Sequence, residues 1–100
     1  MTNYNSAIPY IAGVYVEEKQ LIQTAEEAAE LAQAALKRHK ALTTDKTMVT
    51  TRKALAEEIA DVLIMCEQII YLEGFETRVR EIIDSKIQRQ IDRIKGRDKK

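Results

Sequence analysis

One hundred residues suffice for one domain with a modest core. A composition 45% hydrophobic and 32% charged is globular, which sets intrinsic disorder aside. Sixteen basic residues balance sixteen acidic ones, so no net charge advertises DNA, RNA or an anionic membrane as a partner.

A single cysteine, Cys66, rules out an internal disulfide and fits a reducing compartment. With no signal peptide and no apolar run of transmembrane length, the expectation is a cytoplasmic protein. Glycine and proline are scarce, and Ala, Leu, Ile, Glu, Lys and Gln dominate, which favours helices.

Residues 1–15 read as an N-terminal arm. Ile8-Pro9-Tyr10 and Val14-Tyr15-Val16 lean toward extended structure, interrupted by Gly13, so an ordered or strand-like arm is expected.

The first long helix is expected from about Glu17 to Lys40. At 100° per residue, Leu21, Ala25, Ala28, Ala29, Ala32, Ala35 and Leu36 share one stripe, the expected core face. Glu26, Gln33 and Lys37 fall on the opposite, wet side. Glu27 and Glu30 lie on a flank, with Gln20, Gln23 and Ala34 nearby. The cations of Lys37-Arg38-His39-Lys40 suit the negative end of the helix dipole.

A polar connector follows, and Thr50 or Thr51 is the expected cap of a second helix reaching about Glu73, with Gly74 as its natural stop. This helix is apolar nearly all round. Leu55, Ile59, Val62, Cys66, Ile69 and Ile70 form one face, which makes Cys66 a small core residue. Glu58 and Asp61 fall among Ala54, Val62, Met65, Ile69 and Leu72. Ionised carboxylates on such a face are costly unless something compensates.

A third helix, about Glu76 to Ile94, carries Val79, Ile83, Ile87, Ile91 and Ile94 as its stripe, with Lys86, Arg89 and Arg93 on one flank. Residues 95–100 read as a flexible basic tail. The fold class is therefore all-α, an antiparallel bundle of about three main helices. Apolar residues left over predict a homodimer or homotetramer, assembled as a larger four-helix-type bundle.

The chemistry lies in two acidic motifs, Glu26-Glu27-Ala28-Ala29-Glu30 and Glu57-Glu58-Ile59-Ala60-Asp61. Each sets carboxylates at i, i+3 on one helix face. Packed together, the two faces converge four carboxylates, whose mutual repulsion a divalent cation relieves. All-oxygen ligation favours Mg²⁺, with Mn²⁺ as the alternative, over zinc. Gly-rich phosphate loops, CxxC pairs and Ser/His/Asp constellations do not occur.

With these residues in place, the chain resembles the all-α nucleoside triphosphate pyrophosphohydrolase superfamily, and within it the small MazG-like proteins. The family pattern E-E-x-x-E, then E-x-x-D, is met by Glu26-Glu27-x-x-Glu30 and Glu58-x-x-Asp61, and the likeness covers roughly residues 17–94. The resemblance implies a single MazG-like domain over 1–100 and Mg²⁺-dependent cleavage of an NTP or dNTP to the monophosphate and pyrophosphate. Non-standard or surplus nucleotides would be the substrates. It further implies Glu27, Glu30, Glu58 and Asp61 as metal ligands, with Glu26 orienting water. Lys86 and Arg89 would stabilise the leaving pyrophosphate, and Gln23 is a further candidate substrate contact. The chain departs from the pattern at Asp84, where relatives often carry Asn, and at Gln90, where a basic residue is common. Those departures sustain two rivals: a non-catalytic helical oligomerisation or partner-binding module, and a nucleotide-binding regulator without turnover.

Overall fold

Four helices follow one another along the chain in a computed structural model that describes residues 6–44 and 47–98. They are α1 (Ala7–Val14), α2 (Glu17–Thr44), α3 (Met48–Glu73) and α4 (Glu76–Asp98), with no strand among the described residues. The all-α expectation holds at this level.

The N-terminal arm is a correction. Ala7–Val14 is helical rather than extended, because Pro9 stands in the first turn, where backbone N–H groups have no intrahelical acceptor to lose. One apolar pair, Ile8 and Ala12 at i, i+4, is then buried as α1 packs against α3. That contact decides the local conformation over the β-leaning residues around it. The part of the arm at residues 1–5 lies outside the described residues.

Glu17 and Glu18 occupy the first turn of α2, where the helix dipole favours negative charge. The helix runs past Lys40 to Thr44, and the Thr43 and Thr44 hydroxyls donate to the Lys40 carbonyl at 2.7 and 3.1 Å. Helix α3 starts earlier than Thr50. Thr47 holds the cap position without a side-chain capping bond, and the Thr51 hydroxyl instead donates back to the Thr47 carbonyl at 2.6 Å. At the far end Gly74 adopts φ 68°, and its N–H donates to the Ile70 carbonyl at 2.9 Å. This left-handed stop is the one that glycine takes without strain.

Helices α2 and α3 form an antiparallel hairpin with a polar seam. Gln20 pairs with Gln68, Glu27 meets Glu58 and Asp61, and Arg38 donates to the Met48 carbonyl at 2.8 Å. Partners thus descend α3 as they ascend α2. On α2 Gln20, Ala34 and Ala41 are buried, and Gln23, Thr24, Glu27, Leu31 and Arg38 are half-buried. On α3 Met65 and Gln68 are buried, and the half-buried Thr51, Glu58 and Leu72 stand at seven-residue steps from Met65. A seven-residue period is the signature of two helices wound about a common seam.

The alanine stripe is therefore misassigned by the sequence reading. Ala25, Ala28, Ala29, Ala32 and Ala35 are exposed, as are Leu21 (46%) and Leu36 (71%). Cys66 is likewise exposed rather than in the core. Helix α4 contacts α3 sparsely, and among its described side chains only Val79 is half-buried. Ile83, Ile87, Ile91 and Ile94 all face outward. The helix continues through Asp98, so residues 95–98 are helical rather than a frayed tail, while 99–100 lie outside the described residues.

Candidate metal centre

The middle of the polar seam is acidic. Glu27 on α2 and Glu58 on α3 sit at seam positions that would ordinarily carry leucine, and both are half-buried. Asp61, one turn along α3 from Glu58, is exposed at the edge of the same group. One oxygen from each of Glu27, Glu58 and Asp61 lies within 4.8 Å of the others. Glu30, exposed on the α2 rim, lies close enough to Glu58 to bear on its charge.

Two features make this group more than a solvated acidic face. Glu27 Oε2 and Glu58 Oε2 are both shielded from solvent and accept no hydrogen bond. Buried carboxylate oxygens are almost always satisfied, so two orphans within one carboxylate group leave room for a cation as the missing partner. The Glu58 carboxyl is also held above its ordinary pKa, first by desolvation, then by the charges of Glu30, Asp61 and Glu27. The cluster, as folded, repels itself.

The donor set fits a hard divalent cation. Oxygens on opposite sides of an Mg²⁺ at ~2.1 Å stand ~4.2 Å apart, so small side-chain rotations close the observed spread. Carboxylates alone, without imidazole or thiolate, disfavour zinc and copper.

Gln23, one turn before Glu27, is half-buried and donates from Nε2 to Glu27 Oε1 at 2.9 Å. The bond occupies one Glu27 oxygen, and the other, Oε2, is the orphan. Further along the seam, buried Gln20 donates to buried Gln68, whose amide also reaches Met65 Sδ at 3.7 Å. These glutamines keep the seam polar and satisfied next to the carboxylates.

Not every expected site residue converges. Glu26 is exposed and stands outside the group formed by Glu27, Glu58 and Asp61. Lys86 and Arg89 line a separate hollow built entirely from α4, together with Arg78, Glu81, Ile82 and Ser85. The groove that does adjoin the cluster is lined by Glu30, Gln33, Ala34 and Lys37 of α2 and by Thr50, Thr51, Ala54 and Glu58 of α3. Gln33 and Lys37, which the sequence places on the wet side of α2, are exposed and line this open groove. The seven-residue spacing from Glu30 to Lys37 was the signal that places both on one ridge.

No protein-family model, curated protein or solved structure matches this chain.

Proposed function

We propose that the chain is a Mg²⁺-dependent nucleoside triphosphate pyrophosphohydrolase, a single MazG-like domain of the cytoplasm acting on non-standard or surplus (d)NTPs. One observation carries the reading: two orphaned, buried carboxylate oxygens of facing helices, Glu27 Oε2 and Glu58 Oε2, with Asp61 within reach. The motif resemblance supplies the reaction class. Structural carboxylate clusters do not by themselves name a reaction.

Glu27, Glu30, Glu58 and Asp61 would hold the cation, and Gln23 would keep Glu27 in its ligating orientation. The bound ion supplies charge neutralisation for the phosphates and an acidified water. In the overall step water adds to the α-phosphorus and the bond from it to the α–β bridging oxygen breaks. Pyrophosphate leaves with the electron pair, and the proton passes to solvent.

The exposed alanine and leucine stripe of α2 and the isoleucine face of α4 are the surfaces through which a homodimer or homotetramer would form. The same exposed faces favour the rival, a helical oligomerisation module that binds nucleotide or a partner without turnover. Phosphorus NMR of a digest separates them. Monophosphate plus pyrophosphate supports the proposal, whereas diphosphate plus phosphate, or no product, opposes it.

A further inference from the structure

Beside the acidic cluster runs a groove of about 570 Å³, within the range of small-molecule sites. Its α2 wall is the ridge Glu30, Gln33, Ala34 and Lys37, spaced i, i+3, i+4, i+7. Ala34 and Ala54 face it from the two helices, and their single methyl groups leave the hollow that larger side chains would fill. One end is closed by Glu30 and Glu58. The other carries Lys37, with Thr50 and Thr51 across from it.

Charge is thus segregated along the groove, carboxylates at one end and an ammonium at the other. A rise of ~1.5 Å per residue sets the Lys37 backbone about 10 Å from that of Glu30. Helical side chains lean toward the helix N-terminus, which puts the acidic end of the groove on the side that a long lysine chain can sweep. Among the described residues the ion pair is Arg80–Glu76, and none engages Lys37. Its neighbour Arg38, by contrast, is committed to the Met48 carbonyl and sulfur.

We propose that Lys37 holds the phosphate groups of the ligand, so that the groove from Glu58 to Lys37 is a polyphosphate seat. This rests on the metal-dependent nucleotide reading above, and it assigns to Lys37 the phosphate contact that the motif resemblance gives to Lys86 and Arg89. A polyphosphate lying along the groove would satisfy both charges at once, its ammonium contact at Lys37 and its other end beside the carboxylates that would hold the cation.

The probe is inorganic pyrophosphate, titrated calorimetrically into the full chain with saturating Mn²⁺. Lys37→Met should lower pyrophosphate affinity at least tenfold while Mn²⁺ affinity without pyrophosphate stays unchanged. Lys37→Arg should restore most of the loss, and Lys86→Met with Arg89→Met should leave affinity as in the wild type. Equal affinity in Lys37→Met, or no pyrophosphate binding by the wild type, would overturn the seat. Lys37-dependent pyrophosphate binding without hydrolysis of any nucleotide would keep the seat and retire the hydrolase reading. Hydrolysis with unchanged KM in Lys37→Met would do the reverse.

Discussion

Gln23 donates a 2.9 Å hydrogen bond to Glu27 from one helical turn away, and the other Glu27 oxygen is shielded from solvent without a hydrogen bond. A carboxylate held this way is oriented before any cation arrives. Removing such a supporting bond typically weakens metal binding by about 10- to 100-fold. Gln23→Ala is therefore expected to weaken Mn²⁺ binding within that range while leaving the circular dichroism spectrum intact. Unchanged affinity, measured by paramagnetic resonance titration, would remove Gln23 from the site.

Glu58 is the residue most at odds with its position. It occupies a seam site, has an unsatisfied oxygen, and faces three other carboxylates. Glu58→Gln relieves that repulsion and adds a hydrogen-bond donor. The metal-free variant should melt a few degrees above the wild type yet lose Mn²⁺ binding. This is the stability–function conflict expected at a built site rather than a packing position. A variant that melts lower and still binds Mn²⁺ would show Glu58 to be structural.

The pH dependence has a definite sign. Desolvation and then Glu73 raise the Glu17 carboxyl, and desolvation and then the cluster raise Glu58, both from an ordinary 4.5. The native state therefore holds these protons more tightly than the unfolded chain. Their stabilising contribution is complete below the ordinary value and is lost as pH rises through the folded values. The melting temperature of the metal-free wild type, relative to a Glu17→Gln, Glu58→Gln double variant, should fall over that interval and then level off. Melts at constant ionic strength test it, and a relative rise would contradict the assignment.

Gln20 and Gln68 are among the most buried polar side chains of the described residues, at 6% and 2% exposure, and they satisfy one another. Truncating one strands the other. Gln68→Ala should cost about 1–3 kcal/mol from the unmet partner alone, before any cavity contribution. Urea unfolding of the single variants and of a Gln20→Leu, Gln68→Leu pair measures this. The pair should recover much of the loss, because an apolar replacement on both sides leaves nothing unsatisfied.

The acidic group was legible in the sequence because Glu27 and Glu58 belong to i, i+3 motifs on two helices that one short connector folds back on each other. The seam was not legible. Its α2 side reads Gln20, Thr24, Glu27, Leu31, Ala34, Arg38 and Ala41, which a hydrophobicity count at helical period passes over for the richer alanine stripe. Polar pairing, as between Gln20 and Gln68, overrides that count, and no single helix contains the information. Likewise Pro9 argued for an extended arm until its place in a first helical turn made it harmless. The stop at Gly74 was legible because a left-handed residue after an apolar helix has few alternatives to glycine.

Assembly is the expectation that follows from the outward stripe. Ala28, Ala32 and Leu36 repeat at i, i+4, i+8 on the exposed side of α2, a surface smooth enough for a second helix to approach closely. Ala32→Glu should shift sedimentation from dimer or tetramer toward monomer without loss of helicity. A wild type that sediments as a monomer at all accessible concentrations would contradict this prediction.

The most direct measurement is a Mg²⁺-dependent pyrophosphate-release screen over the common and several modified NTPs and dNTPs, run beside Asp61→Asn. Asp61 is exposed at the edge of the cluster, so its replacement removes one proposed ligand without disturbing the seam. The account predicts release from one substrate or a small set, dependent on Mg²⁺ and abolished by the substitution. Release on no nucleotide, or equal release by Asp61→Asn, would contradict it.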